Sequence, residues 1–266
     1  MMTALSYVFI DPVLFRVGPL EVRWYGLMYL LGFVAGYFVI KRELTRRNGP
    51  IPPEQADDLL FYLIVGLLVG ARLGYAVFYN AKAYLQAPWE ILAVWHGGMS
   101  FHGGLIGMVV AGFIFARLRG APFMELADIG ALSAPIGLML GRLGNFVNGE
   151  LFGRVTTVPW GIVFPEGGPL PRHPSQLYES FLEGPVLFMF LWWLRLRTKY
   201  HGEVLAVFLI GYGVLRFFVE FFREPDFHLG FIVHALTMGQ LLCMAMTAAG
   251  IALLIVVRRS TFKVDH

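Results

Sequence analysis

Long apolar runs dominate the hydropathy pattern of the chain, and polar residues are concentrated in the segments between them. A helix that crosses a bilayer needs about 20 mostly apolar residues. The pattern predicts seven such helices, over residues 21–40, 58–79, 99–117, 124–146, 176–195, 203–222 and 233–257. The predicted fold is an all-α integral membrane protein, a single polytopic domain over residues 1–266.

One segment between the predicted helices differs from the rest in composition. Residues 147–175 are rich in glycine and proline and are too polar to cross lipid. Glycine and proline interrupt regular helices and favour turns. We therefore expect this segment to form a small extracytoplasmic head between the fourth and fifth helices.

Basic residues outside the predicted helices are unevenly distributed. They cluster after the first, third, fifth and seventh helices, at 41–47, 117–119, 195–199 and 258–263. Cytoplasmic loops carry an excess of lysine and arginine, which predicts an N-terminus outside and a C-terminus inside. The first residues lack a secretory signal pattern, so we expect the first helix to insert the chain. On the predicted outer side, the aromatic residues suited to an interfacial belt are Trp24, Tyr25, Trp89, Trp95, Trp160 and Phe231.

Composition narrows the range of functions. Of the 266 residues, 57% are hydrophobic and 15% are charged, and the 21 lysines and arginines are explained by topology, so we expect no nucleic-acid partner. The single cysteine, Cys243, lies in an apolar run, which favours a small buried hydrophobic residue over a nucleophile or metal ligand. The HExxH, GxSxG and Walker patterns do not occur in the sequence, so no metal ion or other cofactor is expected.

Polar and ionisable side chains occur near the predicted outer ends of five helices. Such residues cost about 2.5–3.5 kcal/mol each in a bilayer and are functional candidates by default. The groups are Arg23 with Tyr25, His102, Arg142 with Asn145, Asn148 and Glu150, residues 172–179, and Arg216 with Glu220 and Arg223. The last three have i, i+4 and i+7 spacing, which predicts one helical face. The predicted topology brings all five groups to the outer leaflet, where we expect one site.

Some of these residues also have a purely structural interpretation. An ion pair across one helical turn would account for Arg216 and Glu220. Glu179 and Glu183 share a helical face and are suitable partners for any of the arginines. A stripe of small residues at helical spacing favours helix packing over ligand contact, namely Gly130, Ala134, Gly137, Gly141 and Gly144.

Three further arginines are interpreted as structural. Arg72, in the middle of the second predicted helix, would snorkel or pair with Asp57 or Asp58. Arg154 and Arg172 in the head, taken in isolation, are ordinary surface charges.

Several arginines around one site predict an anionic ligand, because a guanidinium binds phosphate or carboxylate through two parallel hydrogen bonds. The abundant anion in the outer leaflet is a phospholipid head group. Asn145 and Asn148 are suited to bind hydroxyl groups, while His102 and Tyr25 are suited to exchange protons. The residues alone predict transfer of a lipid group, with the nucleophile supplied by a second substrate.

Four polar motifs, in this order among the apolar segments, resemble the prolipoprotein diacylglyceryl transferase family. They are "HGGMSFHGGLIG", "GRLGNFVNGELFGR", "RHPSQLYE" and "VEFFREPD". The longest is similar to the signature of that family, and the similarity extends from "RWYGLMY" to "TMGQLL", which is essentially the whole chain.

The resemblance implies a bacterial inner-membrane enzyme with its active site near the periplasmic leaflet. Such an enzyme transfers the diacylglyceryl group of phosphatidylglycerol to the lipobox cysteine thiol of a prolipoprotein signal peptide. A thioether forms and glycerol 1-phosphate is released. The implied partners are phosphatidylglycerol, prolipoprotein signal peptides and the surrounding membrane lipids, without a cofactor.

The resemblance also implies residue roles. Arg142 matches the phosphatidylglycerol-binding arginine, Arg223 a second essential arginine, and His102 a base acting on the thiol. The other matched functional positions are Tyr25, for catalysis, and Asn145, Glu150 and Gly153, for phosphatidylglycerol binding. The family often has glutamine where this chain has Glu224, which adds a negative charge and leaves Arg223 intact.

Two other classes of function remain open from the residues. A transporter or channel would also place polar groups inside seven helices, although it would need them across the whole membrane and a pair of broken helices. A lipid-binding scaffold would not need His102 beside several arginines.

Overall fold

The computed structural model describes residues 5–7, 10–18, 20–47, 49–93, 97–224, 231–233 and 236–259. The predicted interface residue Trp95, most of the loop before Phe231 and the basic residue Lys263 lie outside these described residues.

The described chain is mainly helical. Its α-helices are α1 (Trp24–Arg47), α2 (Ala56–Phe78), α3 (Ala81–Gln86), α4 (Phe101–Arg119), α5 (Phe123–Val147), α6 (Ser175–Phe181), α7 (Leu187–Leu194), α8 (Glu203–Val219) and α9 (Met238–Arg259). A π-helix over Leu182–Val186 joins α6 to α7, and short 3-10 turns cover Pro53–Gln55, Pro88–Leu92 and Pro165–Gly167. Each of the seven predicted segments overlaps a helix, but the last helix begins at Met238 and not at residue 233.

Among the described residues, five helical segments are long and apolar enough to cross a membrane. They are Trp24–Arg46, Pro53–Phe78, Phe101–Arg119, Phe123–Val147 and Met238–Arg259. The other two predicted segments are shorter as regular helix. One is interrupted by the π-helix, which contains Pro185, and α8 has 17 residues. The protein is therefore a mostly helical, multi-pass membrane protein.

Three small strand pairs accompany the helices, which the all-α prediction did not include. Strand β1 (Leu5–Ser6) pairs in parallel with β4 (Ile162–Val163). Strand β2 (Val13–Val17) forms an antiparallel hairpin with β3 (Leu20–Arg23), and β5 (Phe231–Val233) pairs with β6 (Leu236–Thr237). The predicted start of the first helix at residue 21 was wrong, because Arg23 ends β3 and the helix begins at Trp24.

The chain divides into two compact units, which we describe separately. The first unit comprises residues 1–39 and 128–266, and the second comprises residues 40–127. In the first unit, apolar side chains of α5, α7 and α8 form a buried cluster of Ala131, Leu132, Leu187, Leu191 and Val204. Buried Asp128 accepts hydrogen bonds from the backbone N–H groups of Gly202 and Leu205, at 2.7 and 2.8 Å. The carboxylate thereby compensates the unpaired donors at the start of α8.

In the second unit, α2 and α4 pack with their backbones almost in contact. A methyl group added at Gly74 would lie 2.7 Å from the Cα of Gly103, and one added at Gly70 would lie 2.7 Å from the Cα of Gly107. Small residues allow this close approach of membrane helices. The packing stripe predicted in α5 was wrong at Gly130 and Gly141, where no described heavy atom lies within 4 Å of an added methyl group. It was confirmed at Gly137, which would lie 3.5 Å from a methyl group added at Gly32, and at Gly144, where an added methyl group would lie 2.8 Å from Tyr25.

Candidate active site

The site in the first unit begins at the end of α5, where Arg142 lies one turn before the helix terminates. Its Nε is 2.6 Å from Oε2 of Glu179, on α6. The Glu179 side chain is only 2% exposed, so this contact is shielded from water. A buried carboxylate requires such compensation, because an unpaired charge in an apolar interior is strongly unfavourable.

Glu179 is shared between two arginines. Its second oxygen, Oε1, lies 2.5 Å from Nη1 of Arg216 on α8. Arg216 in turn contacts Oε2 of Glu220 through Nη2 at 2.9 Å, and Glu220 lies 3.9 Å from Arg223. The five residues form an alternating series of positive and negative groups, which we call the charge chain: Arg142, Glu179, Arg216, Glu220 and Arg223.

Glu183 lies beside the middle of the charge chain, one helical turn after Glu179. Its carboxylate oxygens are 3.9 Å from Arg142 Nε and 3.8 Å from Arg216 Nη1, and its side chain is fully buried. The residue belongs to the π-helix, where the backbone of Gly184 departs from helical geometry. π-Bulges commonly occur at functional sites, and this one orients Glu183 toward the same arginines as Glu179.

The charge chain is anchored at Glu220 by α9 and the strand before it. Thr237 Oγ1 donates a 3.0 Å hydrogen bond to Glu220 Oε1, and Gln240 N donates to Thr237 Oγ1 at 3.2 Å. Thr237 and Gln240 are both buried. These contacts fix the carboxylate that lies between Arg216 and Arg223.

After α5, the chain folds back so that Glu150 contacts the helix it has just left. Glu150 Oε1 accepts hydrogen bonds from Asn145 Nδ2 at 2.8 Å and Asn148 Nδ2 at 3.2 Å. Gly149 and Leu151 adopt positive φ values of 69° and 56°, which produce this reversal. A positive φ is unusual for leucine, so the reversal is held by its contacts.

Arg223 is held by the head and not by helix α8. The helix ends at Val219, and Gly153 and Arg223 form an antiparallel bridge. Arg154 N donates to the Phe222 carbonyl at 2.9 Å, and Arg154 Nε donates to the Arg223 carbonyl at 2.9 Å. The prediction that Arg216, Glu220 and Arg223 share one helical face was therefore wrong for Arg223.

Arg172 is also part of this framework. Its Nε donates to the Gly167 carbonyl at 2.7 Å, and Nη1 lies 2.9 Å from Glu224 Oε2 and 3.2 Å from the Gly153 carbonyl. Its guanidinium lies 5.0 Å from the centre of the Phe152 ring. Arg154 and Arg172 thus build the head, and their interpretation as ordinary surface charges was wrong.

An aromatic hydrogen-bond network completes the head. Trp160 Nε1 can only donate, and it does so to Tyr178 Oη at 2.7 Å. The Tyr178 hydroxyl group is therefore free to donate its proton to His173 Nδ1, at 3.1 Å. Burial lowers the pKa of His173, which agrees with a neutral imidazole that accepts at Nδ1.

Tyr25, at the start of α1, belongs to the same unit. A methyl group added at Gly144 would lie 2.8 Å from Cδ2 of Tyr25, so this glycine admits the ring against α5. The hydroxyl groups of Tyr25 and Tyr29 are 3.3 Å apart.

His102 belongs to the second unit, at the second position of α4. Ser100 caps this helix, because its Oγ accepts a hydrogen bond from Gly103 N at 3.2 Å. The His102 side chain is exposed, and its ring meets the Phe101 ring edge-on, with 5.7 Å between the ring centres. Within the described part of the chain, no cluster of three or more His, Cys, Asp or Glu residues could hold a metal ion.

The predicted residues thus fall into two sets. The first unit contains Arg142, Asn145, Glu150, Gly153, Arg223 and Tyr25, connected through the charge chain and the head, whereas His102 is in the second unit. The sequence interpretation gave too little weight to Arg216, Glu179 and Glu183. The available indication was that the two apolar segments 176–195 and 203–222 contain six charged residues, which cannot all be accommodated in a membrane without pairing with one another.

The helices and the charge chain define a multi-pass membrane protein with a buried cluster of paired arginines and glutamates. Residues 12–256 match the protein family described as prolipoprotein diacylglyceryl transferase. The chain belongs to this family and is therefore a transferase.

Three relatives named phosphatidylglycerol–prolipoprotein diacylglyceryl transferase illustrate the similarity. The Geobacter sulfurreducens protein is 53% identical over 255 residues, covering 96% of this chain and 98% of its own. The Desulfotalea psychrophila protein is 51% identical, covering 92% of both chains. The Rhodospirillum rubrum protein is 50% identical, covering 98% of this chain and 97% of its own.

Proposed function

We propose that the protein transfers the diacylglyceryl group of phosphatidylglycerol to the lipobox cysteine of prolipoproteins. The observation that carries this proposal is the buried charge chain at the helix ends, in a chain whose relatives bear the name of that reaction. The alternation of arginine and glutamate keeps several guanidinium groups charged inside apolar surroundings. An incoming phosphodiester can exchange with a carboxylate as the partner of an arginine.

Arg142 and Arg223 are the proposed ligands of the phosphodiester, because they are the two ends of the charge chain. Their side chains are 19% and 16% exposed, whereas Arg216 in the middle is 7% exposed. The end arginines would also stabilise the leaving phosphate as its charge develops. In the proposal, Asn145 and Glu150 bind the glycerol part of the head group, and Gly153 keeps Arg223 in register.

The nucleophile belongs to the prolipoprotein. Its sulfur forms a bond to the glyceryl carbon, the carbon–oxygen bond to phosphate breaks, and the electron pair leaves with glycerol 1-phosphate. His102 is the proposed base that accepts the thiol proton, and Tyr25 is proposed as a further catalytic residue. A thiol with a pKa near about 8.5 is mostly protonated at pH 7, so a base accelerates the attack.

The proposed location is the bacterial inner membrane, with seven crossings, the N-terminus outside and the C-terminus inside. The distribution of lysine and arginine supports this orientation. The head would then lie on the periplasmic side, near the leaflet from which prolipoprotein signal peptides and phosphatidylglycerol approach.

The test uses purified protein, phosphatidylglycerol and a lipobox peptide, with mass spectrometry of the thioether product. We expect Arg142→Ala, Arg223→Ala and His102→Gln each to lower the rate at least about 100-fold. The matched control is Arg119→Ala, which removes an arginine that pairs with Asp58 at 2.5 Å on the protein surface and should leave the rate nearly unchanged. Near-normal rates in folded Arg142, Arg223 and His102 variants would contradict the residue assignment, and a wild type without product would contradict the function.

A further inference from the structure

Arg72 makes an unusual set of contacts within the second unit. Its side chain lies in α2 and is 4% exposed. All three guanidinium nitrogens donate to backbone carbonyl groups of the segment before α4: Nε to Ile91 at 2.9 Å, Nη2 to Glu90 at 2.5 Å and Ala93 at 2.9 Å, and Nη1 to Gly98 at 3.1 Å and also to Gly97. The predicted pairing of Arg72 with Asp57 or Asp58 was wrong, since Asp58 pairs with Arg119.

The carbonyl groups that accept hydrogen bonds from Arg72 lie in the segment that precedes α4, the helix that carries His102. We call this the approach segment. Gly97 and Gly98 have φ values of 77° and 75°, so the chain reverses here in a left-handed conformation that favours glycine. Two residues later, Ser100 N donates to the carbonyl group of Ala71 at 2.9 Å, and Ser100 then caps α4. Ala71 and Arg72 therefore fix both the approach segment and the first turn of the helix that carries His102.

A guanidinium is the side chain that suits these acceptors. It carries five N–H donors in a rigid plane, whereas a lysine ammonium has three donors at one point. Without the guanidinium, the carbonyl groups of Ile91, Ala93, Gly97 and Gly98 would lose this donor, whereas the Glu90 carbonyl would keep the hydrogen bond from Ala93 N at 3.1 Å. Each lost hydrogen bond lowers the stability of this loop conformation. Because all of these acceptors are neutral carbonyl groups, the role of the Arg72 guanidinium is to hold the geometry of this loop.

We propose that Arg72 is a positioning residue that fixes Glu90–Ala93 and Gly97–Gly98, and thereby the imidazole of His102 where it accepts the thiol proton. This inference rests on the proposed function. Arg72 acts through the loop and α4 and does not touch the substrate.

The first experiment compares Arg72→Lys with wild type in the thioether assay. Displacing a catalytic group by about 1 Å can cost about 100-fold in rate, so we expect kcat to fall about 10- to 100-fold. The KM for phosphatidylglycerol should remain within about twofold, because in the proposal the lipid is bound by residues of the first unit. Arg119→Lys is the matched control, since it alters an exposed arginine of the same α2–α4 pair and should keep the wild-type kcat.

A pH profile separates positioning from general loss of structure. If the base is misplaced, the deficit should shrink as the thiol ionises without help, from pH 6.5 to about 8.5. The ratio of wild-type to Arg72→Lys rates should therefore fall about 10-fold or more over this range, in parallel with His102→Gln. The other charged and titratable side chains nearest in sequence on α2, on α4 and in the segment between them are Tyr75, Tyr79, Lys82, Tyr84, Glu90 and His96, and all are unchanged in the variant.

Two outcomes would overturn the inference: a wild-type kcat in Arg72→Lys, or a deficit that is the same at every pH. If Arg72→Lys does not fold, Arg72→Ala is purified with methylguanidinium present throughout, and its rate is followed as methylguanidinium is diluted. Recovery that depends on methylguanidinium supports the inference, and none overturns it. Failure of the proposed function is distinct, because wild type would then yield no thioether.

Discussion

At the scale of single residues, Gly153 shows how a backbone contact can matter as much as a charged group. An added methyl group would overlap the carbonyl oxygen of Phe222 and lie 2.7 Å from Cβ of His173. Because a backbone carbonyl cannot move away as a flexible side chain can, the bridge to Arg223 would have to open. We predict that Gly153→Ala lowers the rate of thioether formation at least about 10-fold, through displacement of Arg223.

The control for this substitution is Gly130→Ala. Gly130 lies in α5, and no described heavy atom lies within 4 Å of an added methyl group. Alanine is about 1 kcal/mol more favourable than glycine in a helix, so this variant should be as active and at least as stable as wild type. Equal activity of the two variants would show that the contact at Gly153 is not required.

His173 gives the head a pH-dependent stability. Burial lowers its pKa in the folded protein, and the unfolded chain has a pKa near about 6.5. As pH falls below this value the unfolded state binds the proton first, so the contribution to stability is full above pH 6.5 and is lost as pH falls toward the lower folded-state pKa. We predict that the wild-type unfolding temperature declines between pH 7 and pH 5 more steeply than that of His173→Asn. Parallel curves for the two proteins would exclude the effect.

At the scale of elements, the glycine contact between α2 and α4 is the tightest in the second unit. A methyl group at Gly107 would lie 2.8 Å from the Cα of Gly70 and would overlap the carbonyl group of Gly66. Overpacking in a well-packed interior typically costs about 1–3 kcal/mol, and backbone obstacles relax least. We predict that Gly107→Ala lowers the unfolding temperature in detergent, whereas Gly112→Ala on the same helix does not. At Gly112 an added methyl group makes only ordinary contacts, 3.5 Å from Leu63 and 3.9 Å from Phe123.

The end of α8 illustrates why element boundaries change the interpretation of a site. Helical spacing predicted that Arg223 lies on the face of Arg216, one turn beyond Glu220. The helix stops at Val219 because the following residues turn to pair with the head, where Phe222 and Arg223 carbonyl groups accept from Arg154. Arg154 is far from Phe222 and Arg223 in sequence, so no local sequence pattern predicts this pairing.

At the scale of the whole molecule, the proposed orientation can be tested by labelling. In a Cys243→Ala background, Glu166→Cys in the head should react with a membrane-impermeant maleimide in intact spheroplasts. Lys199→Cys should react only after permeabilisation, because it follows a helix whose basic end is expected inside. Both side chains are exposed, and native Cys243 is buried, so reactivity reports the side of the membrane. Labelling of the two positions under the reverse conditions would invert the proposed topology.

The transporter alternative loses its basis at this scale. Membership of a transferase family accounts for the polar residues, and the charge chain is a compact group. The interrupted helix between α6 and α7 brings Glu183 to that group.

The sequence by itself determined the helical membrane class, the approximate position of each apolar segment and the family, and it predicted most of the polar residues of the candidate site. Those properties are local, because hydropathy, residue spacing and motifs depend only on neighbouring positions in the sequence. Only the tertiary structure decided which charge meets which. Glu179 joins Arg142 to Arg216, Gly153 holds Arg223, and Arg72 holds the carbonyl groups before α4. A buried charge is stable only with partners of matching geometry, and partners brought together from distant segments become defined only when the helices pack.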